Sequence, residues 1–280
     1  MRTYEEDDLS GIRLVASDMD LTLLADDGSM PPRMAERIRA LEDAGALFAA
    51  ASGRPLYTLR DMFGDLLDHM ALISDNGAGV VCRGEVVYKS VVDPDTIQEL
   101  TEFTLGNAYG IPTVCGLDAC YIRECDRAYD GVFRVFYHNI EYVDSLDHLG
   151  ELLGVELNKF TVYFPGANAV AMRDAIYGPE FGERLSVTCG GAVWIDIMNR
   201  GVDKGTGVAR LCDHLGISVS DVAACGDTDN DAEMLSRAGH GYLVANAEKR
   251  MERFADFRIP SNNDRGVAQV IDAILAARRA

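Results

Sequence analysis

Short apolar runs alternate with amphipathic stretches along the first third of the chain. Ile12 to Ser17 (IRLVAS) is largely apolar and stops at Asp18, the pattern of a strand buried on both faces. Pro31 and Pro32 open a helical stretch that runs to Ala44, and Gly45 stands where a C-cap glycine belongs. A second apolar run, Ala46 to Ala51, ends at Ser52-Gly53-Arg54-Pro55. An amphipathic segment follows, then Ala71 to Ser74 and the turn residues Asp75-Asn76-Gly77. Strands and helices in alternation predict a parallel sheet with helices on its faces.

Between about Arg83 and Asp196 the rhythm changes. Short strand-like runs (Glu85 to Tyr88, Thr113 to Cys115, Ala119 to Ile122, Phe160 to Phe164, Arg184 to Thr188, Val193 to Ile197) mix with helical stretches, Asp93 to Asn107 and Asn168 to Tyr177. This pattern predicts an α+β module. From Asp203 the first rhythm returns: a helix to Leu215, a strand Asp221 to Cys225, the polar turn GDTDND, a helix to Ala238, a strand Gly241 to Val244, and helices near Glu248 and from Val267 to Arg279. One α/β core built from both chain ends, with a second domain inserted, accounts for both rhythms. The expected division is a doubly wound parallel-sheet core of residues 1–84 and 197–280 around an α+β insert of residues 85–196.

The chain has 280 residues, of which 48% are hydrophobic and 25% charged, a globular composition long enough for two domains. Its 26 basic against 45 acidic residues leave a net charge of −19. Phosphate backbones and anionic lipid would repel such a surface, so neither nucleic acid nor a membrane is expected as partner. The first residues are acidic and polar, with no signal-like or membrane-spanning stretch, and a cytoplasmic location is expected. Seven cysteines, an odd number without a CxxC pair, point to reduced and mostly buried thiols; Cys115, Cys120 and Cys125 are evenly spaced but have no histidine nearby.

Candidate chemistry concentrates where the apolar runs end. Asp18-Met19-Asp20-Leu21-Thr22 follows the first strand, and Gly226-Asp227-Thr228-Asp229-Asn230-Asp231 follows a later one. Acids in these places also serve as turn formers or helix caps. Ligands of open α/β sheets, however, gather at the carboxyl ends of strands. Two such acidic clusters would supply the oxygen ligands that Mg²⁺ prefers. Ser52, at the end of another strand, suits a phosphate oxygen. Lys204, one of only four lysines, would neutralise charge developing there.

Taken in order, Asp-x-Asp-x-Thr, the serine, the lysine and Gly-Asp-x-x-Asn-Asp closely resemble the haloacid dehalogenase-like (HAD) superfamily of phosphohydrolases. The place of the insert, between Ser52 and Lys204, resembles its Cof-like branch, as do Asn76-Gly77-Ala78 and the closing stretch from Val244-Ala245-Asn246-Ala247 through Ser261-Asn262 to Gly266-Val267-Ala268. The resemblance implies a Rossmann-like core with a substrate-reading cap. It also implies a Mg²⁺-dependent phosphatase acting on phosphate monoesters of small metabolites, chiefly sugar phosphates, through an aspartyl-phosphate. Asp18 would be the nucleophile and Asp20 the general acid and base. Asp18, Asp20 (through its backbone carbonyl), Asp227 and Asp231 would hold Mg²⁺, and Ser52, Lys204 and Asn230 would hold the phosphate.

Leu21 departs from the pattern, at a position often glycine in the family, and is expected to crowd the space beside the nucleophile. Arg123, Arg127, Arg134 and His138 are the polar candidates in the insert. A phosphomutase or phosphotransferase sharing the aspartyl-phosphate, a receiver-like signalling module and a non-catalytic sugar-phosphate binder remain as alternatives. The length and the insert disfavour the receiver, and the second acid, Asp20, disfavours the binder. A monomer or small homo-oligomer is expected.

Overall fold

The computed structural model describes residues 1–107, 109–166 and 168–279. Strands in the first part of the chain are β1 (Arg2–Thr3), β2 (Leu14–Ser17), β3 (Leu47–Ala51), β4 (Met70–Ser74), β5 (Gly79–Cys82) and β6 (Glu85–Lys89). The middle supplies β7 (Ile111–Gly116), β8 (Cys120–Arg123), β9 (Ile140–Val143), β10 (Leu157–Tyr163), β11 (Leu185–Cys189) and β12 (Trp194–Asn199). The last part adds β13 (Val222–Gly226), β14 (His240–Val244) and β15 (Phe257–Ile259).

Two compact units result: residues 1–52, 63–88 and 203–280 form the first, and residues 53–62 and 89–202 the second. The strand at Glu85–Lys89 belongs to the sheet of the first unit, so that unit extends a few residues past the change of rhythm at Arg83.

The first unit is a nine-stranded sheet in the order β1-β15-β14-β13-β2-β3-β4-β5-β6. Every pairing from β1 to β4 is parallel, and β5 runs antiparallel to β4. Strands β2, β3, β4 and β13 are buried along their whole length, as a sheet covered by helices on both faces requires. Their small residues, among them Ala16, Ala49, Ala51 and Ala224, share one core with Val208, Leu211, Met234 and Leu235 of the covering helices. From β2 the chain proceeds to β3 on one side, and from β13 to β14 on the other. The sheet therefore reverses its winding between β2 and β13, the position where open sheets of this class form a ligand crevice.

The second unit is a six-stranded sheet, β11-β12-β10-β7-β8-β9, antiparallel except for the β8–β9 pair. Alternation along β10 sends Phe160 and Val162 to one face, where Ile97 and Leu100 of helix Pro94–Gly106 meet them. Tyr163 goes to the other face, with Tyr137, Phe133 and Trp194. The helix expected over Asn168–Tyr177 is interrupted: Ala169–Met172 is α-helical, Arg173–Tyr177 forms a wider turn, and Gly178–Phe181 resumes the helix with Pro179 in its first turn. All seven cysteines are free thiols, six of them buried. No helix among the described residues is long and apolar enough to cross a membrane.

Candidate active site

Asp18 follows β2 directly, and its backbone N–H donates to the Cys225 carbonyl of β13 at 2.9 Å. The chain then makes one wide turn, in which the N–H groups of Leu23 and Leu24 reach back to the carbonyls of Asp18 and Met19. Hydrogen bonds closing over five residues mark a π-type turn, a geometry frequent at functional sites. Leu21 adopts a left-handed backbone inside it, φ 60 and ψ 7, which accounts for the tendency toward glycine at this position. Its side chain is 49% exposed, and its carbonyl accepts a hydrogen bond from Asn246 Nδ2 at 2.8 Å. Asn262 donates to Asn246 Oδ1 through its backbone and to the Leu24 carbonyl through its side chain. The closing stretch of the sequence thus clamps the turn that carries Asp18 and Asp20.

Lys204 enters from the first turn of helix Lys204–Leu215, whose start is fixed by a capping box between Asp203 and Thr206. The ammonium is fully buried and donates to Asp18 Oδ1 at 2.5 Å and to Asp231 Oδ1 at 2.7 Å. Asp231 Oδ2 accepts the backbone N–H groups of Asp227 and Thr228, and the Thr22 hydroxyl donates to Asp227 Oδ1 at 3.0 Å. Gly226 makes this closeness sterically feasible: a Cβ there would stand 2.6 Å from that of Asp231.

Burial pushes the Asp18 carboxyl well above its usual range; the charges of Asp231, Asp227 and Asp20 push the same way, and Lys204 opposes them. Asp227 rises to about 7, again through burial and the Asp231 charge. Burial would pull Lys204 down, but Asp18 and Asp231 outweigh it and raise its pKa. These are the marks of a site with more negative charge than its own cation balances.

Oxygens of Asp18, Asp227 and Asp231 lie within 4.8 Å of one another. An all-carboxylate donor set, short of positive charge, fits a hard divalent cation such as Mg²⁺.

The sequence candidates therefore divide into two groups. Asp18, Lys204, Asp227 and Asp231 form one ionic cluster. Asp20 is half-buried on the turn two residues after Asp18. Ser52 is buried at the end of β3, where its backbone donates to Ile73 and accepts from Asn76. Asn230 donates through Nδ2 to Asn76 Oδ1 at 3.0 Å.

In the second unit the surface candidates are engaged locally: Arg123 with Asp126, Arg127 with Glu124, Arg134 with Asp130, and His138 with Asp61. Lys159 was not among the candidates, yet it is 1% exposed. It donates to the Gly53 carbonyl at 2.6 Å and lies 3.8 Å from Asp196. A lysine within the strand β10, fully buried although it stands next to Asn158, is the signal that marks it.

The family model for haloacid dehalogenase-like hydrolases matches residues 15–271. The chain belongs to this family. It is a HAD-type phosphohydrolase of the Cof-like branch. The Escherichia coli 5-amino-6-(5-phospho-D-ribitylamino)uracil phosphatase YbjI is 30% identical over 266 residues, spanning 94% of this chain and 96% of that protein. A Bacillus subtilis phosphatase of the same name, YitU, is 24% identical over 92% of this chain and 96% of its own length. Among solved structures, a Streptococcus mutans protein superposes with a TM-score of 0.85 at 26% identity, over 95% of this chain and 99% of that one. A HAD/Cof-like hydrolase from Plasmodium vivax gives 0.82 at 22% identity, over 95% and 96%.

Proposed function

We propose that this HAD-family hydrolase is a Mg²⁺-dependent phosphatase that cleaves phosphate monoesters of small metabolites, sugar or polyol phosphates first among them. The observation that carries the reading is the fully buried Lys204 bridging Asp18 and Asp231 at the sheet's winding reversal. Asp18 attacks phosphorus and the ester oxygen departs, leaving an aspartyl-phosphate; Asp20 protonates that oxygen, then takes a proton from the water that releases phosphate. The carboxylates of Asp18, Asp227 and Asp231 with the Asp20 carbonyl would hold Mg²⁺, which would supply neutralising charge. Ser52, Lys204 and Asn230 hold the phosphoryl oxygens, and Lys204 also keeps Asp18 oriented.

The α+β insert, expected over residues 85–196 and beginning after the core strand Glu85–Lys89, reads the part of the substrate beyond the phosphate, and residues 1–84 and 197–280 carry the catalytic groups. The two relatives named for a ribitylaminouracil phosphate make that polyol ester the first substrate to try. The enzyme works in the cytoplasm as a monomer or small homo-oligomer.

The test is phosphate release from a panel of sugar, polyol, nucleotide and vitamin phosphates with Mg²⁺, comparing wild type with Asp18→Asn. Release by wild type alone is expected. Release by both overturns the role of Asp18. Transfer to an alcohol acceptor without free phosphate would instead identify a mutase.

A further inference from the structure

One turn in the first unit touches the ends of three of the proposed site segments without belonging to any of them. Asp75, Asn76 and Gly77 follow β4, and all three have left-handed backbones, with φ of 49, 52 and 100. Consecutive left-handed residues are uncommon outside glycine and are retained where the surroundings hold them.

Those surroundings are specific. The Asn76 backbone N–H donates to the Ser52 carbonyl at 2.9 Å. Its Oδ1 accepts from Asn230 Nδ2 at 3.0 Å. A Cβ on Gly77 would collide with the Asp203 carbonyl, so the turn also packs directly against the residue preceding Lys204. Asn76 is 1% exposed, and a buried amide with these contacts has little freedom to reorient.

We infer that Asn76 is a positioning residue for phosphate binding: its side chain fixes the amide of Asn230 while its backbone ties the same turn to Ser52. With one Nδ2 proton of Asn230 taken by Asn76, the amide plane is set, and the second proton remains as the donor for a phosphoryl oxygen. Left-handed φ explains why the residue is asparagine, which adopts this conformation more readily than other residues with side chains. The inference rests on the phosphatase reading, and it adds a residue to which that reading gives no part.

Asn76→Gly is the informative variant, because glycine accepts the backbone conformation and keeps the N–H donated to Ser52. Three quantities are read: the dissociation constant of inorganic phosphate with Mg²⁺ by calorimetry, KM and kcat for p-nitrophenyl phosphate, and the melting temperature. Loosening one charge-assisted hydrogen bond should raise the dissociation constant and KM roughly 10-fold. Because that contact is made in ground and transition states alike, kcat should stay within about 3-fold, and the melting temperature should fall by a few degrees only. Asn76→Gly combined with Asn230→Ala should be no worse than Asn230→Ala alone, since the first residue acts through the second.

Wild-type values in Asn76→Gly, or penalties that multiply in the double variant, overturn the inference while leaving the phosphatase reading intact. A wild type that neither binds phosphate nor releases it overturns both.

Discussion

Lys204 is fully buried between two carboxylates, so Lys204→Met removes a cation while adding nothing polar. The methionine fills most of the aliphatic volume, which confines the change largely to charge. Breaking a buried pair by deleting one partner costs about 3–5 kcal/mol, and here one ammonium serves both Asp18 and Asp231. The loss depends on pH, and the sign follows from the direction of the Asp18 shift. Burial already raises this carboxyl and Lys204 opposes the rise, so the substitution raises it further. An acid whose folded pKa exceeds its unfolded value loses no stability below the unfolded pKa, near 4. The penalty of the substitution therefore grows as pH climbs from the wild-type to the variant's folded pKa of Asp18 and is complete above the latter. The slope is about 1.4 kcal/mol for each pH unit in which the variant's folded carboxyl is protonated and the wild type's is not. The expected penalty is about 3–5 kcal/mol at pH 8 and smaller at pH 5.5. Urea unfolding of the metal-free protein, followed by far-ultraviolet circular dichroism, measures both. A penalty below about 1 kcal/mol at both values, or a larger one at the lower pH, would refute this account of the buried cluster.

Three further outcomes follow from the same geometry. Asp20→Asn should slow leaving-group release by roughly 10²- to 10⁴-fold on alkyl phosphates, and should slow the first-turnover release of p-nitrophenol, which needs no proton, much less; equal first-turnover losses on both would remove the acid role. Asp227, raised to about 7, must shed a proton to bind a cation, so the rise in melting temperature on adding Mg²⁺ should be greater at pH 8 than at pH 6; a pH-independent rise would contradict it. Gly226→Ala would place a methyl 2.6 Å from the Asp231 Cβ, and the displaced carboxylate should weaken Mg²⁺ binding by roughly 10-fold or more; unaltered Mg²⁺ titration by calorimetry would show that the site tolerates the shift.

The apolar runs located the central strands to within a residue or two because those strands are buried on both faces, and periodicity needs no tertiary help there. Ile12–Ser17 shortens to Leu14–Ser17, and Ala46–Ala51 to Leu47–Ala51. Strands β1, β5, β9 and β15 escaped notice. β5 is short and follows a tight turn, whereas β9 is only partly buried and carries Glu141 among its four residues. The interrupted helix at Arg173–Tyr177 reads as continuous in the sequence because Ala169, Met172 and Ile176, which pack on one core, keep helical spacing.

At the site, Asp18, Lys204, Asp227 and Asp231 were legible as acids and a rare lysine at element ends. Asn76 was legible only as part of a turn, because its contacts join residues far apart in the chain and its side chain is ordinary for a turn. Lys159 was passed over because it stands beside Asn158, just ahead of the run Phe160 to Phe164 that marks the strand.

The left-handed turn at Leu21 has a consequence for how such a site can change. Its main chain is held by the hydrogen bond from Asn246 and by the closing bonds of the π-type turn, whichever residue stands there. The side chain is half-exposed. Bulk at this position can therefore change without loss of those main-chain bonds, glycine being the residue that meets the left-handed backbone at least cost.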